Sequence, residues 1–206
     1  VNTKTAGPER FVSWLGAVLA TRGQQAPTKE AIVRYLGAQS PAHKMDFAAL
    51  QGLWEANADN TELATKKELW GKLLVTALGE NVDQSTDMFL EHTYLVVVAD
   101  LIAHHLLELE TLREPAKSIL SGEQFSAAGI YGVVEDDFFA WIAQVKGGSE
   151  LLQSISRRLA AFDWKQVSGD VLKILYESII DAEQRKRLGE YYTPDWLAEA
   201  VLEKVV

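Results

Sequence analysis

Ser85-Thr86-Asp87-Met88-Phe89-Leu90-Glu91-His92-Thr93-Tyr94-Leu95-Val96-Val97-Val98-Ala99-Asp100-Leu101-Ile102-Ala103-His104-His105-Leu106-Leu107-Glu108-Leu109 is the stretch that decides how this chain folds. Met88, Phe89, Leu95, Val96, Val98, Leu101, Ile102, Leu106 and Leu109 recur along it at helical spacing. Over residues 95–107 the helix is apolar on nearly all sides, which suits a helix surrounded by others. Burying each larger side chain is worth roughly 1.5–3 kcal/mol. A long helix starting after Ser85 is therefore expected to organise the fold. The same stretch is too interrupted to cross a bilayer. Asp100, His104 and His105 break its apolar run, and a span needs about 18–20 apolar residues.

Upstream, four shorter helices are expected. Phe11, Trp14, Leu15, Val18 and Leu19 mark the first. Pro27-Thr28 opens the second, with Ile32, Tyr35 and Leu36 on one face. Phe47, Leu50, Leu53 and Trp54 mark the third. Leu63, Leu69, Trp70, Leu73, Leu74 and Leu78 mark the fourth, which Gly79 closes, and the polar residues 57–60 separate these last two. Together they predict a helical subdomain over residues 1–84.

Downstream, Glu114-Pro115, Ser121-Gly122 and Gly129 punctuate residues 113–137, which read as loop with short helical turns. Phe138, Phe139, Trp141, Ile142 and Val145 predict a short helix with Asp136 or Asp137 at its start. Gly147-Gly148-Ser149 separates it from Leu151, Leu152, Ile155 and Leu159, and Phe162-Asp163-Trp164 turns the chain. Val171, Leu172, Leu175, Tyr176 and Ile179 predict another helix, and Asp181 caps a short one that ends at Gly189. No strand-like alternation, fixed repeat or low-complexity segment interrupts this pattern. The fold class is all-α: a helical bundle over residues 85–188, built on the long helix, with residues 189–206 following as a tight loop and the start of a new helix.

The 206 residues are 48% hydrophobic, enough to bury a core in one domain or two small ones. The net charge of −9 weighs against a surface that wraps DNA, which needs clustered Lys and Arg. There is no cysteine, so disulfides and thiolate metal sites are excluded. With no charged-then-apolar leader, a cytoplasmic protein and no membrane partner are expected. The first residue is Val1, which fits an excised piece or a processed chain.

The functional reading rests on Arg185-Lys186-Arg187-Leu188-Gly189-Glu190-Tyr191-Tyr192-Thr193-Pro194, followed by Asp195-Trp196-Leu197-Ala198-Glu199-Ala200-Val201. Gly189 suits the left-handed residue that closes a helix. Thr193 is a good N-cap, Pro194 fits the first helical position, and Asp195 and Glu199 lie toward the positive end of a new helix dipole. Such a helix start attracts anions.

Gly189-Glu190-Tyr191-Tyr192-Thr193-Pro194, with a basic helix before it and an apolar helix after it, resembles the lead-in motif of adenine-N6 DNA methyltransferases of the restriction–modification and phage-defence type. Three further stretches are similar to the helical region before the methyltransferase fold in large fused members. They are Phe89-Leu90-Glu91-His92-Thr93-Tyr94-Leu95, Ile130-Tyr131-Gly132-Val133-Val134-Glu135-Asp136-Asp137-Phe138-Phe139 and Asp170-Val171-Leu172-Lys173-Ile174-Leu175-Tyr176-Glu177. The resemblance covers residues from about 86 to the end. It implies a helical spacer leading into a Rossmann-like methyltransferase domain that these residues do not include. It also implies S-adenosylmethionine as cofactor, with Tyr191, Tyr192, Thr193 and Pro194 against it, and DNA as the partner of the longer protein, with a specificity or nuclease subunit or domain beside it. The family's catalytic Asn/Asp/Ser-Pro-Pro-aromatic motif is missing, for none of the five prolines is paired. The Gly-rich cofactor loop is missing too, since Gly147-Gly148 has no preceding apolar strand and no third glycine. No catalytic residue is assigned, and the segment alone is not expected to methylate DNA.

Other candidates have plainer readings beside the functional ones. Arg185, Lys186 and Arg187 are candidates for a phosphate contact, but the plainer reading, a solvated helix end whose charges suit the dipole, is preferred. His92 lies inside an apolar helix, where a structural role outweighs catalysis. His104 and His105 are adjacent, so they point to different sides and cannot chelate a metal together in the i, i+4 manner. Glu135, Asp136 and Asp137 fit helix capping better than a nuclease metal cluster, whose carboxylates come from separated positions. Trp14, Trp54, Trp70, Trp141, Trp164 and Trp196 could stack on bases, but most fall on apolar helical faces, so core is the default. A different class of function, a non-enzymatic helical adaptor binding partner proteins, suits the acidic surface and aromatic content.

Overall fold

The structure is a computed structural model that describes residues 24–79, 82–132, 134, 137–180, 185 and 195–205. The helix expected after Ser85 spans Thr86–Leu106, and Ser85 Oγ accepts a hydrogen bond from the Met88 amide at 3.2 Å. That cap satisfies one of the amides a helix leaves free at its start. Numbered along the chain, α1 is Lys29–Leu36, α2 Pro41–Glu55, α3 Thr61–Leu78, α4 Thr86–Leu106, α5 Ala116–Leu120, α6 Glu123–Ala127, α7 Gly148–Leu159, α8 Val171–Ile179 and α9 Asp195–Val205. Two 3-10 helices, Phe138–Gln144 and Trp164–Gln166, lie among them. Strand structure among the described residues is limited to one isolated parallel bridge between Gln25 and Phe162. The all-α class expected from periodicity is what the structure has, and no described helix is long and apolar enough to cross a membrane.

Local chemistry starts most of these helices. Thr28 caps α1, Ser40 caps α2 ahead of Pro41, and Asn60 caps α3. Asp170 Oδ1 accepts from the Lys173 amide at 2.9 Å to start α8. Asp137 Oδ1 accepts from the amides of Phe139 and Ala140 at 2.8 and 3.0 Å, so the acidic run ends in a helix cap. Glu135 and Asp136 lie outside the described residues.

Phe89 of α4 is the centre of the aromatic core and is fully buried. Trp54 of α2 and Trp70 of α3 meet it edge-on, with ring centroids at 5.3 and 5.2 Å, and Phe139 lies tilted at 5.6 Å. Edge-to-face pairs of this kind add about 0.5–1.5 kcal/mol each beyond burial. Trp141 closes the box. It packs edge-on to Trp54 and donates its indole N–H to Thr93 Oγ1 at 3.1 Å, and the Thr93 hydroxyl donates to the Phe89 carbonyl at 2.9 Å. Residues before and after Ser85 thus share one apolar core, from Ile32 in α1 to Ile180 after α8.

Polar ties fix the outer helices. Arg158 of α7 is paired with Asp46 of α2. Ser156 Oγ lies 2.6 Å from Thr111 Oγ1 and 3.1 Å from His105 Nε2, joining α7 to the end of α4. At Gly148 the first turn of α7 comes so close to the preceding 3-10 helix that a Cβ there would stand 1.8 Å from the Ile142 carbonyl oxygen. Gly147 before it has φ +97°. The glycine pair is therefore a steric necessity where two helices meet.

Several expectations need correction. On α3, Leu63 and Trp70 face the core, but Leu69 and Leu73 are 48% and 55% exposed. Trp70 takes the contact with Phe89, and its neighbours at other helical angles turn outward. Tyr35 is likewise exposed while Ile32 and Leu36 are buried. The long helix stops at Leu106, before Leu109, because Glu108 adopts φ +56° and the amides of Glu108 and Leu109 bond back to the carbonyls of His105 and His104. That is a Schellman ending with a glutamate where glycine is usual. The segment after Asp137 is a 3-10 helix and ends at Gln144. The helices expected over residues 11–19 and 181–189 lie outside the described residues, Arg185 apart.

Candidate functional site

The approach to the lead-in motif is α8. Asp170 caps it, and Val171, Leu175 and Ile179 bury one face. Its end is locked to the end of α1: the Ala38 amide donates to the Ser178 carbonyl at 3.1 Å. Gly37 permits this approach, since a Cβ there would meet the Ser178 side chain at 3.3 Å and the Val33 carbonyl at 2.6 Å. Ile180 is fully buried just beyond. Arg185 then turns back on α8, with Nη1 3.8 Å from Glu177 Oε1 and a side chain 22% exposed. It is more covered than a solvated helix end would be. Lys186, Arg187, Tyr191, Tyr192, Thr193 and Pro194 lie outside the described residues.

Beyond them α9 runs from Asp195 to Val205. Trp196, Leu197, Val201 and Leu202 on it are exposed, Trp196 by 68%. Trp70, Trp141 and Trp164 are core residues as expected, but Trp196 is not. Trp14 lies outside the described residues.

The histidines are structural in their surroundings. His92 meets Trp70 at 5.6 Å and Phe139 at 6.3 Å, its Nδ1 has no hydrogen-bond partner, and burial pushes its pKa down to about 4. His104 is fully buried and edge-on to Phe125 at 4.5 Å, whereas His105 bonds to Ser156. The two adjacent rings therefore face α6 and α7, as their spacing requires. Burial holds His105 and His43 below the usual histidine range. Among the described residues no group of three or more His, Asp or Glu stands together as a metal site.

One feature escaped the sequence reading. A cavity of about 310 Å³ lies between α4, α5, the start of the 3-10 helix Phe138–Gln144 and α8. Its walls include Val96, Ala103, Leu120, Ala140 and Leu172, and Asp100 stands among them. Among the described residues neither Asp100 carboxylate oxygen has a hydrogen-bond partner. His104 Nδ1 is 3.3 Å from Oδ1, but its hydrogen goes to the Asp100 carbonyl oxygen at 2.9 Å. Burial pushes the Asp100 carboxyl up, His104 draws it partly back, and the charge of Asp137 adds to the upward push. The signal available in the sequence was one acid inside an otherwise apolar helix, which reads as an interruption until its neighbours in space are known.

Comparison with known proteins returns no matching family model, no matching curated protein and no matching solved structure.

Proposed function

We propose that this chain is the helical region preceding the catalytic domain of an S-adenosylmethionine-dependent, adenine-N6-specific DNA methyltransferase. The observation that carries the reading is the run Gly189-Glu190-Tyr191-Tyr192-Thr193-Pro194 between an anchored helix and an apolar one. The helical body acts as a base. The Ala38–Ser178 hydrogen bond and buried Ile180 hold the end of α8. Tyr192 shapes the wall of the cofactor pocket, and Thr193 offers it a hydroxyl and a helix-start amide. The cofactor, when bound, supplies the methyl group. The residues that grip a flipped adenine belong to a part of the protein other than these 206 residues.

The test uses the intact gene product. S-adenosylmethionine affinity is measured by calorimetry for the parent, Tyr192→Ala and Thr193→Ala, each with a thermal melt as control. The sequence makes Thr193 the expected N-cap of the helix that follows, and losing such a cap costs roughly 0.5–2 kcal/mol of stability, so the melt separates folding from binding. A fall of about tenfold or more in affinity, equivalent to about 1.4 kcal/mol, is expected for at least one variant. Unchanged affinity in both retires the reading.

One observation favours a second reading, a non-enzymatic helical adaptor: α9 presents Trp196, Leu197, Val201 and Leu202 to solvent. An adaptor would capture a partner through these residues and would bind no S-adenosylmethionine.

A further inference from the structure

Asp100 is the anomaly of the core. Its side chain is 3% exposed, and among the described residues neither oxygen has a hydrogen bond: the nearest donor, His104 Nδ1 at 3.3 Å from Oδ1, gives its hydrogen to the Asp100 carbonyl oxygen at 2.9 Å. A buried acceptor left unsatisfied is destabilising, and more so when charged. At 3.6 residues per turn, Val96 and Ala103 share its face of α4. Val96, Ala103 and Asp100 all line the cavity. The volume, about 310 Å³, is at the lower end of small-molecule sites. Apolar walls with one convergent polar group are what such sites offer. Asp137, the other acid on the wall, already commits Oδ1 to two amides.

We propose that this cavity binds a small molecule with a compact apolar body and one protonated amine, whose ammonium group pairs with the Asp100 carboxylate. Both oxygens are withdrawn from solvent, so on binding the carboxylate turns about χ2, a broad torsion in aspartate, to meet the N–H donors. The apolar body covers Val96, Ala103 and Leu172. Asp137 deepens the negative potential without giving up its cap. The cation offsets the burial and the Asp137 charge, both of which disfavour the charged carboxylate. The inference does not depend on the methyltransferase reading.

The probes are benzylamine, a cation at pH 7, and benzyl alcohol, its neutral counterpart. They are titrated into protein carrying labelled alanine and valine methyl groups and followed by NMR. Saturable shifts of the Ala99, Ala103 and Ala140 methyls are expected with benzylamine. Benzyl alcohol should bind about tenfold more weakly, equivalent to about 1.4 kcal/mol, since it brings one donor and no positive charge. In Asp100→Asn the preference should vanish while the remaining methyl spectrum is retained. Equal binding of the two probes, no saturable shift, or shifts confined to other methyls would overturn the proposal. The comparison of probes on the unaltered chain stands even if the variant fails to fold.

Discussion

Arg158 of α7 donates from Nη2 to Oδ1 of Asp46 on α2, joining residues 112 apart in sequence. Asp46 is almost wholly buried, and Arg158 is about two-thirds covered. Removing one partner of such a pair leaves a charge without compensation in a low-dielectric place. Asp46→Ala should therefore destabilise the fold by roughly 3 kcal/mol, while Asp46→Ala combined with Arg158→Met should cost less than the two single changes added together. Urea denaturation of the four proteins measures this. Additive losses would mean that the pair contributes nothing as a pair.

Two glycines should respond to alanine in opposite directions. At Gly148 the new methyl would stand 1.8 Å from the Ile142 carbonyl, a backbone atom that cannot swing aside. At Gly52, within α2, it would meet nothing within 4 Å. Gly148→Ala should lower the melting temperature sharply. Gly52→Ala should raise stability by about 0.5–1 kcal/mol through helix propensity. Thermal melts of the two variants side by side check both signs.

Thr93 links two layers of the core by accepting from Trp141 and donating to the Phe89 carbonyl. Thr93→Val keeps the shape but leaves the Trp141 indole N–H buried without an acceptor. A loss of about 1–3 kcal/mol is expected. Trp141→Phe in the Thr93→Val background should then cost less than Trp141→Phe alone, which a double-mutant cycle in urea would reveal.

Acid should weaken the fold well before carboxylates titrate. Burial holds His92 at about 4 and lowers His43 and His105 as well. An unfolded histidine titrates near 6.5, so between about pH 6.5 and 4 the unfolded chain binds more protons than the folded one. Stability is then full above about pH 6.5 and falls as pH drops toward 4, with His92 accounting for roughly 2–3 kcal/mol of the loss. Asp100 runs the other way: its raised pKa contributes stability at low pH that is lost as pH rises through the folded value. Urea midpoints at pH 7 and pH 5 should show the wild type losing stability and His92→Phe losing less. An identical loss in both would exclude His92 as the cause.

Local chemistry made the helix starts readable. Ser85 and Asp137 cap the helices expected after them, Pro27-Thr28 opens α1, and Gly79 closes α3, because each acts on amides or carbonyls within its own turn. Features set by distant partners were not readable. Leu69 and Leu73 fit an apolar stripe as well as Trp70 does, and only Phe89 across the interface decides which side is inside. The end of α4 was hidden because Glu108 takes a backbone conformation that glycine normally marks. The cavity at Asp100 is bounded by residues from 96 to 172, so no local window contains it. For the lead-in motif the position is reversed. Its residues are legible in the sequence, and what the structure adds is the anchored α8 before it and the exposed apolar α9 after it.

The coding sequence beyond the codon for Val206 tests the central claim most directly. A helical base for an adenine methyltransferase predicts an apolar strand with a Gly-rich loop within about 30 residues. Farther on it predicts an Asn, Asp or Ser followed by Pro-Pro and an aromatic residue. A stop codon at that point, or a continuation with neither motif, would contradict the claim and leave a helical interaction domain.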